Sequence, residues 1–271
     1  MNSWQWYTPP IFFGQGCLFS SLVNYLASGG KRWAICCGRH FFEGVWSLWK
    51  EKASQAGLEV EAFVVSGGEP TVEVVDTLVT SLKKWQPDGL VAIGGGSVLD
   101  TTKAAAAMLV HDGSVLDYLE EVGSKQLVYS SLPWIGVPTT AGTGSEVTKN
   151  AVIIVPEKRV KRSLRHESLW ARAVFLDPVL TFSTPWEVTV NTAFDAFTHL
   201  LEAAVTRKFH PWAFALADIS LGEIVEGLLR LKEDGNDTTA RERLLMASTA
   251  GGIVLANAGL GAVHGFAATL G

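Results

Sequence analysis

The stretch "LVAIGGGSVLDTTKAAAAML", residues 90–109, joins an apolar run to an alanine-rich helical pattern through three consecutive glycines. The apolar run predicts a buried strand, and Ser97 with Asp100 matches a capping box that would start the helix. Short β-rich runs and longer helical patterns alternate in this way over the first 180 residues. This alternation is typical of a parallel sheet wrapped by helices, so we predict a Rossmann-like α/β fold for this part of the chain.

The glycine triplet could serve a phosphate group. Gly94, Gly95 and Gly96 leave room for a phosphate to approach the backbone, and the start of the next helix offers free amides and a partial positive charge. A tight turn that needs positive φ is an equally good explanation of three glycines, and the spacing GxGxxG is absent.

A second polar loop, "GVPTTAGTGSEVT" at residues 136–148, follows the next predicted strand. Its Thr139, Thr140 and Thr143 hydroxyls stand among glycines and could hold phosphate, ribose or amide groups, although alone it could be an ordinary polar loop. Ligands of parallel sheets bind at the carboxyl ends of the strands. The two loops together therefore predict a ligand cleft at that edge.

The pattern changes at "STPWE", residues 183–187, where Thr184 fits an N-cap, Pro185 a first helical residue and Glu187 the partner in a capping box. Apolar helical patterns follow to the end of the chain. We therefore predict an α/β domain over residues 1–183 and a helical domain over residues 184–271. The charged stretch "EKRVKRSLRHE" from Glu157 precedes this boundary and fits a solvated hairpin or loop, with a lysine that could bind phosphate.

Composition and charge restrict the partners of the protein. The 271 residues are 48% hydrophobic and 18% charged, and the net charge of −5 offers no basic surface for nucleic acid or an anionic membrane. No apolar stretch reaches the roughly 18 residues of a membrane span, and the N-terminus does not resemble a secretory signal. We expect a cytoplasmic protein with a small-molecule partner, in which Cys36 and Cys37 pack on opposite faces of a strand.

A candidate metal site lies in the helical part. Asp195 and His199 are four residues apart in "DAFTHLLEAAV", so their side chains share one helix face among apolar residues. A divalent cation would compensate the carboxylate there, and a simple Asp–His hydrogen bond is the alternative. His264 is either a core histidine or a third ligand of a nitrogen and oxygen site suited to Fe²⁺ or Zn²⁺.

Four motifs in this order, "GGGSVLD", "PTTAGTGSEVT", "DAFTHLLEA" and "GLGAVHG", resemble the iron-containing (group III) alcohol dehydrogenase family over nearly the whole chain. The resemblance implies a Rossmann-like nucleotide domain followed by an all-helical domain, with NAD or NADP and a divalent metal between them. The implied reaction is hydride transfer between the nucleotide and a small alcohol or aldehyde.

The resemblance also assigns roles to residues. Asp195, His199 and His264 match three of the four family ligands for Fe²⁺, with Zn²⁺ as the alternative metal. The fourth ligand is expected beyond Gly271, so we expect the helical domain to be incomplete, and Ala268 stands where a further histidine is common. The implied cofactor-binding residues are Gly95, Gly96, Ser97, Thr139, Thr140, Thr143, Asn150 and Lys161.

The nucleotide preference depends on the end of the first predicted strand. Gly38 stands where NAD-using members of the family can carry an acidic residue, and Arg39 follows it. A guanidinium binds phosphate oxygens well, so NADP should be tolerated, unless Arg39 is simply a solvated loop residue. A homodimer, a nucleotide-binding protein without activity, an inactive fragment and a dehydroquinate synthase-like or glycerol dehydrogenase-like relative stay open as alternatives.

Overall fold

Six parallel strands form the central sheet of the computed structural model, which describes residues 5–207 and 210–270, with side chains as far as residue 266. A separate antiparallel hairpin has two strands. In chain order, the strands are β1 (Ile11–Phe13), β2 (Arg32–Cys37), β3 (Glu59–Val64), β4 (Gly89–Gly94), β5 (Trp134–Pro138), the hairpin strands β6 (Asn150–Val155) and β7 (Val160–Arg165), and β8 (Ala173–Leu176).

Helices cover the sheet and then form a separate bundle. The α/β part contains α1 (Ser21–Ala27), α2 (Arg39–Gly44), α3 (Trp46–Gln55), α4 (Val72–Trp85) and α5 (Gly96–Met108), and the bundle contains α6 (Trp186–Ala204), α7 (Pro211–Glu233), α8 (Thr238–Ala258) and α9 (Ala262–Leu270). Over the two described ranges, no helix combines the length and apolar character that crossing a bilayer requires.

The order of the strands places a crevice at the carboxyl edge of the sheet. That order is β1-β8-β5-β4-β2-β3, so the chain leaves β2 towards β3 and then continues on the other side of β2 with β4. The β2–β4 pairing aligns Cys37 with Ile93, and the β4–β5 pairing aligns Gly94 with Pro138. Such a reversal is where open α/β sheets bind ligands. The Rossmann-like prediction is confirmed, and the two glycine-rich loops follow strands beside this reversal.

Both faces of the sheet are buried. Cys36 and Trp134 pack in the core on the side of α4 and α5, whereas Cys37 and Trp33 pack in the core on the side of α1 and α3. The predicted placement of the two cysteines on opposite faces is therefore confirmed. Burial raises the pKa of each thiol to about 12, so both are unreactive packing groups at neutral pH.

Both predicted capping boxes are wrong. Helix α5 begins at Gly96 with Gly95 as an N-cap that has no side-chain hydrogen bond, and the Asp100 carboxylate accepts instead from the Ser145 hydroxyl and, at 2.9 Å, from the Val152 amide. Each carboxylate oxygen is thus used by a residue far along the chain rather than by the helix terminus.

The second box fails for a similar reason. Helix α6 begins at Trp186 with Pro185 as the N-cap, one residue later than predicted. The Thr184 hydroxyl donates to the Thr139 carbonyl at 3.0 Å and so ties the start of the bundle to the second loop. The helical part begins close to the predicted boundary at residue 184, and the division of the chain into two domains there stays a prediction.

The charged stretch forms the turn and the second strand of the predicted hairpin, but it is not solvated throughout, because most of β7 is half-buried or buried. Strands β6 and β7 pair over their whole length around a turn at Pro156–Lys158. Its basic side chains meet acids from elsewhere in the fold, among them Lys161 with Glu69 and Arg165 with Glu120. The hairpin is therefore a docked element of the α/β part.

A buried lysine holds the second loop against α5. The Lys103 ammonium donates to the carbonyls of Ser145 and Asn150 at 2.8 and 2.7 Å and to the Thr148 hydroxyl at 2.9 Å, with Asp100 at 3.6 Å. Its side chain has no exposed surface. Burial lowers the pKa of Lys103 to about 8, although neighbouring carboxylates oppose that shift. The backbone over residues 145–150 is thereby fixed to the helix that follows the first glycine loop.

Replacing Lys103 by Met should lower the free energy of unfolding by about 3–5 kcal/mol, because it leaves buried carbonyls without a donor and Asp100 without its cation. Urea denaturation followed by circular dichroism measures the change. The control is Lys31→Met at an exposed position, which should stay within about 0.5 kcal/mol of the parent. Equal effects of the two substitutions would contradict the anchoring role of the buried ammonium.

Candidate metal centre and nucleotide cleft

The first glycine loop is shaped by the second loop. A Cβ atom on Gly96 would lie 2.7 Å from Thr143 Cγ2, and one on Gly95 would lie 3.3 Å from Thr140 Oγ1. Neither glycine has a positive φ, nor does Gly94, whose Cβ would meet Val98 at 2.5 Å. The glycines are therefore required by close approach of neighbouring groups, and the alternative of a turn with positive φ is wrong.

Backbone hydrogen bonds join both loops and the end of β2 to β4. The Thr139 amide donates to the Gly94 carbonyl at 3.0 Å, and the Gly38 amide donates to the Ile93 carbonyl at 3.2 Å. The first amides of α5 have no partner within their own helix and lie at the same edge. Most of the predicted nucleotide residues, namely Gly38, Gly95, Gly96, Ser97, Thr139, Thr140 and Thr143, are thus gathered around one crevice.

Three other predicted nucleotide residues are placed differently. Arg39 begins α2 with a side chain that is 80% exposed, and its guanidinium lies 3.7 Å from Glu43. Asn150 begins β6 and Lys161 lies on β7, where its ammonium binds Glu69 at 2.8 Å. In the part of the chain that the structure describes, no hydrogen bond or ion pair joins the Asn150 or Lys161 side chain to the glycine loops.

The three predicted metal ligands meet between α6 and α9. His264 Nε2 lies 3.4 Å from Asp195 Oδ1, and His199 Nε2 lies 3.8 Å from the same oxygen. Their candidate ligand atoms are all within 4.8 Å of one another, and the two imidazole rings stack with centroids 4.4 Å apart. Ala268, the position where the family commonly has a histidine, lies outside the described side chains.

The charges of the cluster are strongly coupled. Burial would raise the pKa of Asp195, but its hydrogen bond to His264 and the charge of both imidazoles lower it below the usual value. Burial lowers the pKa of His199, while the hydrogen bond to Asp195 raises that of His264. An ionised carboxylate and a buried imidazole that resists protonation are both suited to a metal ligand, since ligands must be deprotonated.

These residues fit a divalent cation. One carboxylate and two imidazoles form a donor set that Fe²⁺ and Zn²⁺ both accept. His199 Nδ1 is buried and, within the described chain, has no hydrogen-bond partner, which is a costly arrangement for an isolated imidazole. Coordination of an ion by Nδ1 would offset that cost, whereas coordination by Nε2, which lies 3.8 Å from Asp195 Oδ1, would leave Nδ1 unpartnered. Asp195, His199 and His264 could therefore hold the ion that the sequence suggests.

Glu202 was not predicted from the sequence. The residue is 7% exposed, and its carboxylate accepts from His264 Nδ1 at 2.7 Å, on the side of the ring opposite to Asp195. The residue follows Asp195 by seven positions and His199 by three, so it lies on the same face of α6. That spacing was the available signal for a carboxylate that supports the cluster.

The metal cluster is close to the second loop. A Cβ on Gly142 would lie 2.4 Å from Thr192 Cβ, so the loop backbone packs on α6. Thr192 precedes Asp195 by three residues, which is less than one helical turn. The crevice at the carboxyl edge and the cluster of Asp195, His199 and His264 are therefore adjoining features.

Comparison with known proteins gives one consistent family. The model described as "Iron-containing alcohol dehydrogenase" matches residues 8–178. A second model, "Fe-containing alcohol dehydrogenase family, C-terminal", matches residues 189–271. Long-chain-alcohol dehydrogenase 1 of Geobacillus thermodenitrificans is 37% identical over 217 residues, which are 80% of this chain and 54% of that protein. The chain thus spans about half the length of this relative.

Solved structures agree with the fold. An alcohol dehydrogenase from an archaeal halo-thermophilic source in a Red Sea brine pool is 28% identical with a TM-score of 0.92, and the match covers 100% of this chain and 69% of that one. The sulfoacetaldehyde reductase of Bifidobacterium kashiwanohense, solved in complex with NAD⁺, is 27% identical with a TM-score of 0.85, over 94% of this chain and 67% of that one.

Replacing Gly96 by Ala should destabilise the protein by about 1–3 kcal/mol, because the new methyl group would overlap Thr143 and force the two loops apart. The free energy of unfolding in urea measures this effect. Gly67→Ala is the matched control, since a Cβ there meets nothing within 4 Å and should be neutral or slightly stabilising. A Gly96 variant as stable as the Gly67 variant would show that the loops do not require this approach.

Proposed function

The chain belongs to the iron-containing alcohol dehydrogenase family, and on that premise we propose that it transfers a hydride between NAD or NADP and a small alcohol or aldehyde. The observation that carries the proposal is the convergence of Asp195, His199 and His264 beside the second loop of the crevice. The family match favours this function over that of a dehydroquinate synthase-like lyase.

In this proposal the nucleotide occupies the crevice at the carboxyl ends of β2 and β4. Its pyrophosphate lies at the start of α5, where Gly95, Gly96 and Ser97 offer amides with a partial positive charge. The hydroxyls of Thr139, Thr140 and Thr143 bind phosphate, ribose or amide groups. The NAD⁺ complex of the sulfoacetaldehyde reductase supports a nicotinamide nucleotide as the class of cofactor.

The hairpin of β6 and β7 contributes two residues to the proposed nucleotide site, Asn150 and Lys161, and its contribution is less direct than that of the loops. Asn150 uses its carbonyl to hold Lys103, which leaves its side chain for the nucleotide. Lys161 would exchange its ion pair with Glu69 for a phosphate group, and solvent reaches both side chains, which are 27% and 55% exposed. Exposed ion pairs of this kind contribute little stability, so that exchange is inexpensive.

We propose that Asp195, His199 and His264 hold Fe²⁺, with Zn²⁺ as the alternative. When bound, the ion supplies Lewis acidity for the oxygen of an alcohol or aldehyde. The residues of the chain orient the reactants: α6 supplies two ligands, α9 supplies one, and Thr192 on α6 packs against the loop proposed to hold the nucleotide. We assign no side chain as general base.

A homodimer is part of the proposal. Strand β1 is an edge of the sheet, and its apolar residues Ile11, Phe12 and Phe13 are 37%, 37% and 43% exposed. An exposed apolar edge strand favours pairing with a second chain.

Replacing His199 by Ala should weaken Fe²⁺ binding by more than about tenfold, because loss of even a group that supports a ligand commonly weakens metal binding by 10–100-fold. Anaerobic equilibrium dialysis against Fe²⁺ measures the affinity, and the alcohol-dependent appearance of reduced nucleotide measures activity. Both should fall together. His166→Ala, on a histidine that belongs to neither α6 nor α9 and whose ring hydrogen-bonds Ser168, is the control. Unchanged iron content in the His199 variant would show that Asp195 and His199 form a purely structural pair and do not bind the metal.

The metal-free chain should bind both NAD and NADP, and Arg39→Ala should weaken NADP binding by about tenfold while leaving NAD binding unchanged. A charge-assisted hydrogen bond to the 2′-phosphate accounts for a loss of about 1.5 kcal/mol. Calorimetric titration of the two nucleotides checks this, with Arg172→Ala as the control, since Arg172 is exposed and lies just before the amino end of β8. Clearly tighter binding of NAD, or NADP affinity that survives the Arg39 substitution, would show that Arg39 is a solvated residue.

A further inference from the structure

One carboxylate, that of Glu202, joins α6 to α9. Its Oε1 accepts from the Val263 amide at 2.7 Å and from the His264 amide at 3.4 Å, while its Oε2 accepts from His264 Nδ1 at 2.7 Å. Gly261 allows this approach, since a Cβ there would lie 2.8 Å from Glu202 Oε1. The amides of Val263 and His264 belong to the first turn of α9 and have no partner within that helix.

The hydrogen bond to Oε2 determines which ring nitrogen of His264 carries the hydrogen. Glu202 and Asp195 are both acceptors, so a protonated His264 ring donates to each of them. A neutral ring has one hydrogen and keeps it on Nδ1, because Glu202 Oε2 at 2.7 Å is a closer acceptor than Asp195 Oδ1 at 3.4 Å. Nε2 then presents its lone pair towards Asp195 Oδ1, 3.4 Å away. A ring without such a partner would populate both tautomers, and only the tautomer with a free Nε2 can bind an ion on the Asp195 side.

We propose that Glu202 is a positioning residue that holds His264 in its ligating tautomer and docks the start of α9, so that the third ligand is oriented before an ion binds. This inference rests on the proposed metal site and goes beyond it by assigning a role to a residue that is not a ligand. The carboxylate acts entirely through His264 and the α9 amides. Carboxylates that accept from the second nitrogen of a ligating histidine commonly act in this way.

The two roles of the carboxylate can be separated by substitution. Glu202→Gln keeps an oxygen at the Oε1 position, so the α9 amides retain their acceptor. Its NH₂ group would replace Oε2, donate to Nδ1 and force the hydrogen of a neutral ring onto Nε2. Glu202→Ala removes both interactions. Glu187→Gln, an exposed position at the start of α6, neutralises a charge on the same helix and serves as the matched control.

Zn²⁺ alone, titrated by calorimetry into the 271-residue chain, is the first probe. Glu202→Gln should bind Zn²⁺ about 10–100-fold more weakly than the parent, and Glu187→Gln should match the parent. Exchange of the Val263 amide should stay slow in Glu202→Gln and become fast in Glu202→Ala. Parental Zn²⁺ affinity in Glu202→Gln would overturn the proposal. So would loss of Val263 protection in that variant, because Glu202 would then act only as a helix cap.

The second probe is independent of metal. ¹⁵N NMR of the metal-free chain, at an alkaline pH where the imidazole is neutral, reports the tautomer of His264, whose signals are identified by their loss in His264→Gln. The parent should show hydrogen on Nδ1 and Glu202→Gln hydrogen on Nε2. If the parent fails to bind Zn²⁺, the proposed metal site fails, while the NMR still decides the role of Glu202. The same tautomer in both proteins would overturn that role.

Discussion

The buried ammonium of Lys103 is the constraint on which the rest of the structure depends. A cation with no exposed surface must be surrounded by oxygen atoms, and these come from Ser145, Thr148 and Asn150. Because Lys103 lies on the helix after the first glycine loop, and its partners lie in the second loop or just after it, this requirement fixes one loop against the other. The second loop in turn packs on α6, which carries two residues of the metal cluster. The hydrogen bonds of the Lys103 ammonium thus connect the crevice to the metal cluster.

The sequence predicts those features of the fold that depend on local patterns. The alternation of strands and helices predicts a parallel sheet, and the period of a strand predicts opposite faces for Cys36 and Cys37. Both capping boxes are wrong, because Asp100 and Thr184 bind partners more than 40 residues away in the chain. The few residues of sequence around a helix end, from which a capping box is predicted, do not include such distant partners. The burial of Lys103 is not predicted either, because its partners are also distant in the chain and a lysine in an alanine-rich helix normally faces solvent.

The sequence likewise predicts only part of the candidate metal site. The spacing of Asp195 and His199 follows from helix geometry, but His264 became a strong candidate only through the family resemblance, because the position of α9 against α6 is a tertiary property. Glu202 has the right spacing on α6, yet a glutamate near a helix end is usually a solvated residue. What distinguishes it is the row of amides at the start of α9. The roles of the nucleotide residues, Asn150 and Lys161 among them, stay predictions.

The contact between the second loop and α8 has a mechanical consequence. A Cβ on Gly252 would lie 2.4 Å from the Gly144 carbonyl oxygen, and Gly144 has a φ of +59°, so the two main chains touch directly. Side chains absorb small displacements by changing rotamer, whereas two touching backbones have no such freedom. Loop and helix must therefore shift as one rigid unit. Asn257, five residues beyond Gly252 on α8, holds the backbone of Tyr7, so a displacement of the loop at Gly144 that moves α8 also moves the attachment of the N-terminal segment.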